Sequence, residues 1–148
     1  MNPRVDPRTL GWLNRALNHE MGAVQQYLAQ SVLARLWGDA ALADRLRKES
    51  MEELDHAARL MERLILEGVA PSAGTLPPAR LGREAAALLD VDRALETDAV
   101  ALYEMALAHA RRVRDQAGEQ LFAQLLVEEA EHVEALDRFD GAARGGEA

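Results

Sequence analysis

Two four-residue stretches, Glu53-Leu54-Asp55-His56 and Glu129-Ala130-Glu131-His132, carry the same Glu-x-x-His pattern and decide how the whole chain is read. Residues three apart share one face of an α-helix, so each stretch offers a carboxylate and an imidazole to one location. Working outward, Glu20 lies 33 positions before Glu53, and Glu96 lies 33 positions before Glu129. Tyr27 follows Glu20 by seven, and Tyr103 follows Glu96 by seven. The halves therefore repeat one pattern, as a duplication leaves it.

The residues around these motifs are apolar at helical spacing. Leu10, Leu13, Leu17, Glu20, Val24, Tyr27 and Ser31 step by three and four, as do Leu42, Leu46, Glu49, Glu53, His56 and Leu60. Ala85, Leu89, Asp92, Glu96, Ala99, Tyr103 and Ala106 follow the same rhythm, and so do Phe122, Leu125, Glu129, His132, Leu136 and Phe139. Such stripes are the buried seams of a bundle. Gly and Pro divide the chain into helices over about 7–37, 39–67, 83–115 and 118–140. Pro7 opens the first, Gly38 stops it, and Asp39 caps the second. Gly118 marks the break before the fourth, and 141–148 is expected to be a frayed tail. Each helix is about 28 residues, or about 40 Å.

Tight turns force antiparallel hairpins, and Gly68 to Pro78 is the one long connection. The expected fold is all-α: two antiparallel helix hairpins joined by a long crossover, the ferritin-like form of the four-helix bundle. The 148 residues make one domain, 1–148.

Composition removes several classes of function. There is no cysteine, so thiolate metal sites, disulfides and cysteine nucleophiles are excluded. The net charge of −8 argues against a nucleic-acid partner and against anionic lipid, and favours attraction of cations. No apolar run is long enough for a signal peptide or a membrane span, and the expected location is cytoplasmic.

Glu20, Glu53, His56, Glu96, Glu129 and His132 are the anomaly, because they stand on core-facing stripes. Buried carboxylates are costly unless they are paired or bind a metal, and four together repel. Two dications cancel four carboxylates. Two Glu-x-x-His helices and one Glu from each remaining helix make a carboxylate-bridged dinuclear site. Glu53 and Glu129 would bridge, Glu20 with His56 would complete one metal, and Glu96 with His132 the other. Mixed oxygen and nitrogen donors suit iron or manganese better than calcium.

Tyr27 and Tyr103 have two readings: core packing with a buried hydroxyl partner, or a redox-active phenol bonded to a ligand carboxylate. Trp37 and the methionines Met21, Met51, Met61 and Met105 read as packing residues. His19 and His109 lack a motif partner and are expected at the surface.

Over about residues 8 to 140 the chain resembles a bacterioferritin. The resemblance rests on Leu17-Asn18-His19-Glu20 with Gln26-Tyr27, on Glu49-Ser50-Met51-Glu52-Glu53-Leu54-Asp55-His56-Ala57, on Glu62-Arg63-Leu64-Ile65-Leu66-Glu67-Gly68, on Ala94-Leu95-Glu96 and on Glu128-Glu129-Ala130-Glu131-His132. It implies a ferroxidase: an enzyme that oxidises Fe(II) to Fe(III) with dioxygen or hydrogen peroxide, at two irons per subunit, for iron storage or detoxification. It also implies a homo-oligomer built from dimers.

Three departures stand out. The family's haem-ligand methionine is replaced by Leu54, so no haem is expected, and Met21 is a poor substitute. The chain stops after Gly141 to Ala148, where the family adds a short fifth helix, so a 24-mer, a 12-mer and a dimer all stay open. Lys48 stands where some members carry an inward-facing histidine, while Glu52 keeps a carboxylate nearby. Two alternatives are carried forward. One is a non-storage di-iron oxidase or peroxidase acting as a small oligomer. The other is a haem-free partner subunit of a mixed shell.

Overall fold

The computed structural model describes the backbone of residues 5–145 and the side chains through residue 140. Among the described residues there are four α-helices and no strand: α1 Pro7–Leu36, α2 Ala40–Leu66, α3 Ala85–Arg112 and α4 Gln116–Gly145. They fall into two compact units, Met1–Leu81 and Gly82–Ala148.

In the first unit the local chemistry acts as the sequence implies. Asp6 caps α1 by accepting from Arg8 N, with Pro7 in the first turn. Gly38 has φ +83, a conformation that costs an L side chain about 1 kcal/mol or more. This left-handed residue lets Asp39 N reach back to Ala34 O at 3.0 Å. Asp39 then accepts from Leu42 N at 3.0 Å and starts α2. The two helices form an antiparallel hairpin with a core of leucines and alanines, among them Leu13, Leu17, Leu46, Leu60 and Leu64. Small polar side chains stitch the hairpin: Ser31 Oγ donates to Ala43 O and Ser50 Oγ to Val24 O, each at 3.0 Å. Both hydroxyls satisfy a buried group at little cost in volume.

The connection after α2 contains no helix or strand, yet it is held closely to α1. Asn18 Nδ2 donates to Ala73 O and Thr75 O, and Gln25 Nε2 donates to Pro77 O. Gln26 grips Arg80 at two points: Nε2 donates to Arg80 O at 2.7 Å and Oε1 accepts from Arg80 N at 2.8 Å. From Asn18 to Gln26 the connection climbs α1 in the direction of that helix, as a crossover must.

In the second unit α3 and α4 are joined through Arg114, whose φ is +56. Asp115 accepts from Gly118 N at 3.0 Å. That bond corrects the expected helix boundary. Gly118 lies inside the first turn of α4 instead of before it, because the Asp115 carboxylate caps the helix two residues earlier. Helix α4 also runs past Gly141 to Gly145, so part of the expected tail is helical. Residues 146–148 lie outside the described residues.

Tyr103 and Phe122 pack with ring centroids 6.2 Å apart, inside a core that includes Leu88, Ala106 and Leu125. Arg93 bonds Asp137 and Asp140 on α4, and Arg111 Nε meets Glu119 Oε1 at 3.2 Å. These exposed pairs add little stability and help set register. His109 is a second correction: it is buried, not at the surface. It follows Ala106 by three and so shares that residue's inward face.

Candidate metal centre

Each unit builds the same cluster from one helix that gives a glutamate and one that gives Glu-x-x-His. In the first, α1 presents Glu20 and α2 presents Glu53 and His56. His56 Nδ1 lies 3.6 Å from Glu20 Oε1 and 3.5 Å from Glu53 Oε2. The ligand atoms of these three side chains all fall within 4.8 Å of one another. In the second, α3 presents Glu96 and α4 presents Glu129 and His132. His132 Nδ1 lies 3.5 Å from Glu96 Oε2 and 3.6 Å from Glu129 Oε2. The 33-residue spacing of the sequence is thus a geometric repeat as well.

Burial gives the clusters their chemistry. Glu20, Glu53, Glu96 and Glu129 are at most 1% exposed, and His56 is 2% exposed. The side chain of His132 is 12% exposed. Enclosure strips a carboxylate of hydration and makes its charge costly unless a cation or a proton offsets it. Glu96 shows the effect: its carboxyl is pushed up to about 9, first by burial and then by the neighbouring Glu129, against an opposing pull from His132. Two oxygens and one nitrogen at this separation suit a divalent transition metal, which accepts mixed donors.

The other sequence-selected residues sort themselves by exposure. Tyr27 and Tyr103 are fully enclosed, two turns along α1 and α3 from Glu20 and Glu96. Leu54 points away from the cluster and is 42% exposed. Glu53 and His56, close by in sequence, are buried, so α2 presents candidate ligands on one face and Leu54 on another. His19 is half-buried. Glu49 was read from the sequence as a seam residue only. Its carboxylate has an oxygen within 4.8 Å of one from Glu53. The i, i+4 spacing of Glu49 and Glu53 was the available signal.

A family model for the ferritin-like domain matches residues 11–144. The bacterioferritin of Brucella melitensis is 36% identical over 143 residues, covering 96% of this chain and 89% of that protein. The bacterioferritin of Rhodobacter capsulatus is 33% identical over 132 residues, covering 89% of this chain and 82% of the other. A 2.6 Å structure of the Rhodobacter capsulatus protein superposes with a TM-score of 0.87 over 90% of this chain and 84% of that one. That structure is described as having a metal-free dinuclear site and a haem iron in a crystallographic special position. The fold is accordingly the ferritin-like four-helix bundle that the seams and crossover implied. On both sequence and structure, the chain belongs to the bacterioferritin family.

Proposed function

We propose that this protein is a ferroxidase that oxidises Fe(II) to Fe(III) for iron storage or detoxification, in the cytoplasm, as a homo-oligomer built from dimers. The observation that carries the reading is the repeated, buried Glu–Glu–His cluster. Together the two clusters supply four carboxylates and two imidazoles, the donor set for two iron ions, with Glu53 and Glu129 in the bridging roles. Two Fe(II) would neutralise four carboxylates and so offset the penalty that burial imposes on them.

Fe(II) is substrate here. Two Fe(II) each give up one electron, and dioxygen with two protons becomes hydrogen peroxide, or hydrogen peroxide with two protons becomes water. The metals carry the redox chemistry. The chain's residues bind, orient and hold charge. Glu96 enters the process as an acid, because iron must displace the proton that burial keeps on it near neutral pH. Tyr27 and Tyr103 wall the same stripes as Glu20 and Glu96. They support the candidate ligands and, as the chain's two phenols, are oxidisable groups two turns along each helix.

Anaerobic titration of the purified protein with Fe(II) tests the reading. Two irons per chain should bind, and admission of air should oxidise both with uptake of about one dioxygen per iron pair. Continued uptake of hundreds of irons per particle, with light scattering showing a closed shell, is the storage outcome. Saturation at two irons per chain on a dimer would instead mark a discrete di-iron oxidase and would sink the storage half of the proposal.

Haem does not fit this chain at the family's usual ligand position. Leu54 carries no donor atom, and it stands exposed on α2. Protein produced with excess haem should therefore show no bis-methionine haem absorbance. Leu54→Met should introduce it at about one haem per dimer. Haem bound in stoichiometric amount by the unchanged protein would refute this.

A further inference from the structure

Gln30 is a buried polar residue that the iron chemistry does not use. It lies on α1 ten residues beyond Glu20 and three beyond Tyr27, with no solvent exposure at all. Among the described residues, neither its Oε1 nor its Nε2 has a hydrogen-bond partner. Its helix neighbours are matched: Gln26 holds Arg80 and Ser31 holds Ala43 O. The internal repeat sharpens the contrast. The corresponding position in the second half, ten residues beyond Glu96, is Ala106, which is equally buried and wholly apolar.

Packing alone therefore asks for no amide at this point of the pattern. Enclosing one with both ends unmatched costs several times what an ordinary hydrogen bond contributes. Complete enclosure also excludes a second copy of the chain as the missing partner, since no outside surface reaches the side chain. What satisfies the amide must be small and internal. It must accept from Nε2 and donate to Oε1. From this side chain a cation would find only a neutral carbonyl, and an anion only one uncharged amide donor.

We infer that Gln30 holds a single internal water molecule on the core face of α1, one helical turn from Tyr27. Water has the required donor and acceptor pair, and buried waters commonly serve otherwise unmatched polar groups. Gln30 is then a positioning residue for a protic group on the stripe that also carries Tyr27 and Glu20. The inference does not depend on iron oxidation, so the two readings fail separately.

A crystal structure of the intact, iron-free protein at about 1.5 Å should show density within about 3.2 Å of both amide atoms. Oxygen-17 relaxation dispersion should count one more long-lived water per chain in the wild type than in Gln30→Leu. A dry site, a Gln30 amide bonded to protein atoms, or equal water counts in the two proteins would each overturn the inference. The wild-type crystal decides the matter even if the variant folds poorly.

Discussion

Replacing Glu53 with alanine is expected to abolish two-iron binding and to slow Fe(II) oxidation by roughly a hundredfold or more. Glu53 stands in the cluster of the first unit, 3.5 Å from His56 Nδ1, and is assigned one of the two bridging roles. If the proposed site is right, its loss would remove a ligand from both metals at once, whereas loss of Glu20 would remove a ligand from one. Glu129→Ala should match it, and Glu20→Ala should leave the second iron bound. The measurement is anaerobic Fe(II) stoichiometry by calorimetry, followed by stopped-flow oxidation. Glu62→Ala, on the exposed side of α2, is the control and should behave as wild type. Two irons bound and oxidised at the normal rate by Glu53→Ala would mean that the ligand assignment is wrong. The fold should survive each change, because removing one of several crowded carboxylates relieves repulsion in the iron-free state.

Glu96→Gln should make the iron-free protein more stable while cancelling the stabilisation that metal confers. The cause is the same burial that defines the site. The carboxyl of Glu96 is pushed up to about 9 in the folded chain, from an ordinary value of 4.5. Between those two values the folded state keeps a proton that the unfolded state has lost. Stability then falls as pH rises, the reverse of a salt-bridged carboxylate. Below 4.5 both states are protonated and the group contributes no slope. Thermal melts of the metal-free protein should therefore decline from pH 5 towards pH 9, by about 1 kcal/mol per pH unit from this group.

Metal inverts the trend. Binding expels the proton, so affinity for Fe(II), or for Zn(II) as an inert probe, should climb over the same interval, with proton release on binding. In Glu96→Gln the amide is neutral at every pH. The slope from this group should vanish, the metal-free melting temperature at pH 8 should rise by several degrees, and the metal-dependent gain should collapse. An unchanged slope in the variant would show that Glu96 is not the group responsible.

Much of this protein is legible in one dimension. Glu53-Leu54-Asp55-His56 and Glu129-Ala130-Glu131-His132 place ligand pairs side by side because helical geometry is local and has a fixed period. The seams of leucine and alanine announce four long helices for the same reason. Gly38 and Asp39 mark the first turn correctly, since a left-handed residue and a side-chain cap act on their own backbone. The α3–α4 turn is less legible in the sequence. Gly118 looked like a break, but the Asp115 carboxylate reaches over it and starts the helix earlier.

Tertiary structure decided what period alone cannot carry. A stripe tells which face is turned inward and not what covers it. His109 looked unpartnered and proved buried, and Gln26 proved to be a two-point clamp on Arg80, 54 residues away. The raised pKa of Glu96 needs the distances to His132 and Glu129 and the loss of water around all three. Gln30 reads in sequence as one more polar helix residue, and only full enclosure makes its amide a demand for a partner. The sequence by itself determined the helices and pointed to the candidate ligand set, which depend on neighbours three and four residues away. Burial, electrostatics and the path of the crossover depend on groups distant in the chain, and only the folded structure brings those together.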